Sequence, residues 1–223
     1  MRLRITAAGA LCALIVAGVA AAEVTVYENT FSSRASIADL RKIEGGKECK
    51  RRWAKREEEL SVEIKKGAVT CEFATPVRGD SPGPDHHLEV QATVSNEVPK
   101  SLRDKVFVSI SVRNNQSARY ELRIVPGTRA WEVRRQPEAQ GFPLTGSEQT
   151  IAGLGKVNRL SLQAFGDSIT AAVNGKKLVD GMPDSGAAEV EGRRTTIAFG
   201  TDGDAKERIG ARFDDLRVRI PSP

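Results

Sequence analysis

Apolar and polar residues alternate along most of this chain. Side chains at every second position of a strand face the same side, so strict alternation predicts strands with one buried face. The alternating segments are 88–94, 106–112, 120–124, 131–133, 160–164 and 169–173. Further strands are predicted near 24–31, 60–64, 69–73, 176–179, 195–200 and 212–220. About twelve strands with almost no helix predict a sandwich of two antiparallel sheets, because one open sheet of that width would curl or split.

Turn residues divide these segments into hairpins. Residues 114–117 and the pair Pro126-Gly127 separate three strands, so residues 106–135 are predicted to form a three-stranded meander. The dipeptide Asn174-Gly175 follows the strand near 169–173. It predicts a tight hairpin, because both of its residues tolerate positive φ.

Two segments between residues 36 and 60 leave the secondary structure open. Ser36 followed three residues later by Asp39 is a capping-box pattern, which predicts a short helix up to Gly45. Residues 50–60 fit either a charged helix or strands. We favour strands there, because a bond between Cys49 and Cys71 requires neighbouring backbones.

The first 22 residues have the pattern of a secretory signal peptide. Arg2 and Arg4 precede an uncharged apolar stretch at 5–22, which ends in the small-residue triplet 20–22. The alternative is an uncleaved membrane anchor, because residues 5–22 are just long enough to span a bilayer. We predict cleavage after residue 22, a single domain at 23–223 and an exported protein, either secreted or periplasmic.

Removal of the signal peptide changes both the charge and the cysteine count. The formal net charge of the whole chain is +5, and the loss of Arg2 and Arg4 without any acid leaves +3. A charge this small on an exported chain predicts neither a nucleic-acid partner nor a membrane contact beyond a retained N-terminal anchor. Cys12 is lost with the signal peptide. The remaining pair, Cys49 and Cys71, is predicted to form a disulfide in an oxidising compartment.

Several motifs, most of them in the C-terminal third, resemble those of a known superfamily. They are a strand that opens on Asn158, a strand that ends in Val-Asn-Gly at 173–175, the strand 196–200 and the closing Phe-Asp-Asp strand from Phe213. Together they resemble the concanavalin A-like lectin/glucanase superfamily, in particular laminin-G-like and 3-keto-glycoside-hydrolase-related domains of bacterial exported proteins. Arg113 followed by the strand that begins at Tyr120 resembles the central strand pair of these domains. The resemblance covers most of residues 24–220 and implies an all-β, antiparallel jelly-roll sandwich with little helix.

The sequence contains no convincing catalytic set. Retaining glucanases of this superfamily carry a Glu-x-Asp-x-(x)-Glu strand, and the chain has no such segment. The cluster Asp85-His86-His87 is a weak metal candidate, because successive strand residues point to opposite faces and the two histidines are not expected to share an ion. Serine chemistry would need one of these histidines as its base. We therefore predict no catalytic residues and no metal site.

A cofactor is not predicted either. Calcium takes about six to eight oxygen ligands, and the acidic residues near the last strands match no known calcium loop. These acids are Asp202, Asp204, Asp214 and Asp215. They could supply only part of a structural calcium site.

Sugar-binding sites combine an aromatic platform with a few polar groups on a concave sheet or at loop tips. The predicted ligand-binding residues are Trp53, Arg113, Tyr120 and Trp131. Trp131 shares a strand face with Val133, which also favours a place in the core. Trp53 lies in a basic run, where exposure would make it part of a site.

Three functions fit this sequence. The leading prediction is a non-catalytic binding or interaction module of the cell envelope, with carbohydrate as the ligand class and a polysaccharide or another envelope component as the partner. A glycoside-modifying enzyme of the 3-keto-glycoside hydrolase type is the first alternative. Its mark would be polar groups that converge with a carboxylate or histidine on the concave sheet. The second alternative is a protein–protein interaction domain with no small ligand, which the charged surface and the scarcity of aromatic residues suggest.

Overall fold

The computed structural model describes residues 22–76, 83–115 and 117–222, and these residues form fifteen β-strands. In chain order, β1 to β15 are Glu23–Asn29, Arg41–Glu44, Cys49–Ala54, Glu59–Ile64, Thr70–Ala74, His86–Val94, Val106–Asn114, Arg119–Val125, Ala130–Gln136, Leu144–Ser147, Val157–Phe165, Ser168–Val173, Lys176–Pro183, Arg194–Thr201 and Ile209–Pro221. Three short 3-10 helices, at Gly46–Glu48, Lys100–Leu102 and Ala187–Glu189, are the helical segments within the described residues.

The strands form two antiparallel sheets. One sheet has eight strands in the order β13-β12-β11-β6-β15-β4-β3, with β1 paired beside β15. The other has seven strands in the order β10-β9-β8-β7-β14-β5-β2. Neighbours in each sheet come from distant parts of the chain, as when β15 lies between β6 and β4. This is the predicted all-β jelly-roll sandwich.

The predicted turns are present. Strands β7, β8 and β9 form the meander predicted for residues 106–135. Strands β12 and β13 form the hairpin predicted at Asn174-Gly175, and the φ angles of the two turn residues are 51° and 80°. Both angles lie in the left-handed region, which Asn and Gly adopt at the lowest cost.

The core lies between the two sheets and contains the apolar half of each alternating strand. Its largest fully buried side chains include Tyr120, Phe31, Phe73, Phe199 and Phe213. In β15 the alternation shifts by one residue at Asp214 and Asp215, where the pairing with β6 is irregular. The extra residue keeps both halves of this long strand facing the core, as a β-bulge does.

The disulfide between Cys49 and Cys71 joins the two sheets. Cys49 opens β3 of the eight-stranded sheet and Cys71 lies in β5 of the seven-stranded sheet, with the two Cα atoms 5.6 Å apart. The predicted disulfide is therefore confirmed. The preference for strands over a helix at 50–60 is also correct, because β3 and β4 pair across the turn at 55–58.

One local prediction is wrong, and one lies mostly outside the described residues. Ser36 and Asp39 lie in a series of turns rather than in a helix, and β2 follows directly at Arg41. Pairing of β2 with β5 at the edge of the sheet outweighs the local capping pattern. Residues 1–21 of the predicted signal peptide are outside the described residues. Within 22–76, 83–115 and 117–222, no helix is both long and apolar enough to cross a membrane.

Candidate functional site

The outer face of the seven-stranded sheet is polar, yet much of it is shielded from solvent. The polar half of the alternation in β5, β7, β8, β9 and β14 points to this face. We call this surface the polar face and define it by Glu72, Ser109, Ser111, Arg119, Glu121, Arg123, Glu132, Arg134, Thr196 and Ala198. Small residues occupy its two central strands, whereas long charged residues stand on the strands to either side.

Arg119 reaches across the centre of the polar face. It starts on β8, and its Nη1 atom lies 3.3 Å from Glu72 Oε2 on β5, two strands beyond β7. Its Nη2 atom lies 3.6 Å from the carboxylate of Glu121 on its own strand. One guanidinium thus joins two carboxylates above the small central residues.

Glu72 is the most heavily bonded group of the polar face. Thr196 Oγ1 donates to its carboxylate at 2.6 Å, and Asn114 Nδ2 donates at 2.9 Å. Burial raises the pKa of Glu72 above its usual value, against the opposing effects of the Thr196 hydrogen bond and the Arg119 charge. A glutamate with a raised pKa next to a second carboxylate can serve as a proton donor or as a hydrogen-bond partner for a hydroxyl.

A second arginine covers Phe107, which lies two residues before Ser109 on β7 and therefore on the same side of the sheet. The guanidinium carbon of Arg123 lies 3.6 Å from the centre of the Phe107 ring, and its Nη2 atom bonds Asp202. On the sheet side the ring lies against Gly200, where a Cβ atom would be 2.3 Å from Phe107 Cζ. The absence of a side chain at Gly200 is what lets the ring lie against the sheet.

A cavity of about 340 Å³ opens at the β8–β9 side of the polar face. Its lining includes Arg119, Glu121, Glu132 and Arg134. Arg134 Nη2 lies 2.6 Å from Glu132, and this bond raises the pKa of the arginine. Positive and negative groups alternate around the cavity, so it offers both donors and acceptors to a polar ligand.

Arg113 and Tyr120, two of the predicted ligand-binding residues, lie together but are buried between the sheets. The guanidinium carbon of Arg113 is 5.8 Å from the centre of the Tyr120 ring. Arg113 donates to Asp85 at 2.5 Å and to the Gly166 carbonyl at 2.6 Å. Tyr120 donates its hydroxyl proton to Asp184. Burial and this bond raise the pKa of Tyr120 above its ordinary value.

Trp53 and Trp131, the other two predicted residues, lie on different sheets and are half-buried. The indole Nε1 of Trp53 donates to the Phe31 carbonyl at 2.9 Å. The Trp131 ring packs over Gly146, where a Cβ atom would lie 2.8 Å from it. The structure does not bring the two indoles to one surface, and a ligand-binding role for all four residues stays a prediction.

Three of the four acids considered for calcium lie in ion pairs, and the fourth, Asp214, is in none of the ion pairs among the described residues. Asp202 contacts Arg123, Asp204 contacts Lys206, and Asp215 contacts Arg159. In the part of the chain that the structure describes, no group of three or more His, Cys, Asp or Glu side chains is arranged to hold a metal ion.

The prediction from sequence missed Glu72, Arg119 and Glu121 as a cluster. A signal was present, since Glu121 and Arg123 alternate with the apolar residues of β8. Their burial, however, depends on strands that are neighbours only in the folded protein. Glu72 and Thr196, for example, are 124 residues apart in sequence.

No protein-family model and no curated protein sequence matches this chain. Solved structures do match it. A galectin-like-fold protein of unknown function from Bacillus subtilis superposes with a TM-score of 0.63 at 13% identity, covering 89% of this chain and 97% of the other. The carbohydrate-binding module CBM66 from Bacillus subtilis gives a TM-score of 0.53 at 11% identity, covering 82% and 96%.

A third match is the catalytic domain of an endo-1,3-beta-glucanase from Thermotoga petrophila. Its TM-score is 0.60 at 10% identity, covering 91% of this chain and 100% of that domain. At these identities the likeness concerns the fold alone. It confirms the resemblance to the concanavalin A-like jelly-roll fold.

Proposed function

We propose that this chain is an exported carbohydrate-binding module whose ligand lies on the polar face. The observation that carries the proposal is the arrangement of Arg119 with Glu72 and Glu121 beside the cavity of about 340 Å³. Neighbouring hydroxyls of a sugar ring match the paired atoms of a carboxylate or guanidinium, so such groups hold a saccharide by paired hydrogen bonds.

The same surface suggests how the saccharide would be recognised. Phe107 is covered by Arg123, so stacking on an open aromatic ring contributes little while that guanidinium stays in place. Recognition would depend on hydrogen bonds from charged groups, which are stronger than those between neutral groups. Water competes for the same donors and acceptors, so we expect modest affinity for a single sugar and tighter binding to a polymer that repeats the contact.

Export is part of the proposal. The Cys49–Cys71 disulfide supports it, because stable disulfides form in oxidising compartments. The predicted signal peptide agrees with this location. The structural neighbours, which include a carbohydrate-binding module and a glucanase, support the ligand class.

Binding to polysaccharides tests the proposal. Purified protein is run through native gels that contain a series of soluble neutral and acidic polysaccharides, and retarded migration reports binding. Arg119→Ala and Arg134→Ala should weaken binding to the retarding polysaccharide by about tenfold each, the loss that corresponds to about 1.4 kcal/mol. Arg217→Ala is the matched control, because Arg217 pairs with Glu28 on the eight-stranded sheet.

The outcome can contradict the proposal in two ways. Migration that no polysaccharide retards would refute carbohydrate binding. If Arg217→Ala abolished the retardation and Arg119→Ala did not, the binding site would lie on the eight-stranded sheet instead. Thermal unfolding of each variant checks that the loss of binding is not a loss of fold.

Catalysis at the same face is the second candidate, and Glu72 with Glu121 favours it. Glycosidases use two carboxyl groups that flank the bond to be cleaved, one of them with a raised pKa. Burial raises the pKa of Glu72, and the shared contact with Arg119 keeps Glu121 near it. The release of reducing ends from the bound polysaccharide, lost in Glu72→Gln, would identify an enzyme. Binding without release would support the non-catalytic module.

A further inference from the structure

The eight-stranded sheet carries a second cluster of chemically active groups, on the side away from the polar face. Ser161 Oγ on β11 lies 2.9 Å from Nε2 of His87 on β6. His87 Nδ1 lies 2.9 Å from Oε2 of Glu23 on β1. A hydroxyl, an imidazole and a carboxylate thus form one chain of hydrogen bonds across three strands.

The carboxylate decides which nitrogen of the imidazole carries the proton. An ionised Glu23 can only accept a hydrogen bond, so in neutral His87 the proton lies on Nδ1. Nε2 is then the acceptor for the Ser161 hydroxyl. Arg219 Nη1 also lies 3.5 Å from Nδ1, but the contact to the carboxylate is shorter and sets the tautomer. This arrangement is the one that activates a serine.

Charged side chains from three strands lie around the His87 ring. Glu89 Oε1 lies 3.8 Å from Nε2, on the side of Ser161. Arg219 contacts the carboxylates of both Glu89, at 2.7 Å, and Glu23, at 3.6 Å. Two carboxylates and one guanidinium therefore lie around the imidazole ring.

The cluster is accessible, and one hydrogen-bond donor lies beside it. The His87 side chain is 12% exposed and that of Glu23 is 23% exposed. Gln163 is the register partner of His87 and lies two residues from Ser161, on the same outer face. A side-chain amide in that position can hold the negative oxygen that develops during acyl transfer.

We propose that Ser161, His87 and Glu23 form an ester-hydrolysing site, with Ser161 as nucleophile, His87 as general base and Glu23 as positioning residue. The substrate class is a carboxylic ester of a polar alcohol, because His87, Glu89 and Gln163 lie beside the serine on this face. This proposal concerns a different sheet from the polar face and is independent of carbohydrate binding.

Water is the only reactant that this reaction needs besides the ester. Ser161 Oγ bonds the acyl carbon while its proton passes to His87 Nε2. The ester C–O bond breaks, and the alcohol leaves with that proton. Water then attacks the acyl-serine, gives a proton to His87, and Ser161 recovers a proton as the carboxylic acid departs.

Covalent labelling of the full chain with diisopropyl fluorophosphate tests this site. The serine oxygen displaces fluoride from phosphorus, and peptide mass spectrometry locates the adduct. We expect labelling at Ser161, none in Ser161→Ala, and a rate about a hundredfold lower in His87→Gln, the loss typical of removing a general base. Ser168→Ala, a serine at the start of β12 in the same sheet, is the matched control and should label at the normal rate.

A positioning role for Glu23 has its own readout. Glu23→Gln should slow hydrolysis of 4-nitrophenyl acetate through kcat with KM unchanged, and Glu23→Asp should restore part of the rate. No adduct at Ser161, or an equal labelling rate in His87→Gln, would overturn the proposal. Failure here is distinguishable from failure at the polar face, because Arg119→Ala should label normally and Ser161→Ala should still bind polysaccharide.

Discussion

The stability that the disulfide between Cys49 and Cys71 contributes can be predicted from the number of residues between the two cysteines. The two cysteines are 22 residues apart, so opening the bond frees a loop of that length in the unfolded state. The chain-entropy relation assigns such a loop about 3 kcal/mol of stability at 25 °C. The bond also joins the two sheets at a buried position, where Cys71 is fully enclosed.

Three samples distinguish the stability that comes from the cross-link from the stability that comes from packing of the sulfur atoms. These are the oxidised protein, the same protein refolded in reductant, and the Cys49→Ala/Cys71→Ala double variant. We expect the reduced protein to lose about 3 kcal/mol relative to the oxidised one. The double variant should lose a further small amount, because alanine leaves space where sulfur was packed.

Urea unfolding at equilibrium measures these differences. The m-value should rise in both samples that lack the bond, because an unfolded chain without the cross-link exposes more surface. In thermal unfolding a loss of about 3 kcal/mol of stability corresponds to a decrease in Tm of about 6–12 °C for a chain of this size. Alkylation before and after reduction verifies the redox state. Equal midpoints for the oxidised and reduced protein, with the bond shown to be present in one and absent in the other, would refute the loop-entropy reasoning.

Three further predictions test the buried polar groups and one turn. Tyr120→Phe should lower the free energy of unfolding by about 1–3 kcal/mol, because Asp184 loses a buried donor. Burial alone would raise the pKa of Asp184, but its hydrogen bonds, that from Tyr120 foremost, hold it below the ordinary value of 3.8. The stability that this ionised group contributes is therefore present above the ordinary pKa and lost as pH falls through the folded one. Acid unfolding should accordingly begin at higher pH in Tyr120→Phe, and an unchanged midpoint in a pH titration by circular dichroism would contradict this. The pH dependence expected for Glu72→Gln has the opposite sign, because burial raises the pKa of Glu72 above its ordinary value of 4.5. The stability that protonated Glu72 contributes is therefore lost as pH rises through the pKa of the folded state. Between about pH 4 and pH 7, urea unfolding should show the free energy of unfolding of Glu72→Gln rising relative to that of the parent protein. A rise of the parent protein relative to the variant would contradict this prediction. Gly175→Ala should cost about 1 kcal/mol, because φ is 80° there and a Cβ meets no neighbour, so only the backbone conformation is penalised. Gly153→Ala, where the space is open and no such φ occurs, is the control and should change little.

The sequence by itself determined the local features of this protein. Alternation with a period of two identified most of the strands, because a strand exposes successive side chains to opposite faces whatever its partners are. Asn174-Gly175 defined its hairpin, because positive φ is a property of those two residue types. The cysteine count predicted the disulfide. The same reasoning failed at Ser36, where a capping pattern was present but pairing of β2 with β5 decided the conformation.

Only the tertiary structure decided which strands are neighbours, and therefore where the functional candidates lie. The contact of Arg119 with Glu72 joins residues 47 apart, and that of Glu23 with His87 joins residues 64 apart. No local pattern encodes such contacts, because they depend on the order of strands in each sheet, which the packing of the whole core selects. For the same reason the sequence did not show that Tyr120 and Arg113 lie together and buried, and their ligand-binding role stays a prediction. The alternation showed that one half of each strand is polar. The sandwich determined which polar residues meet.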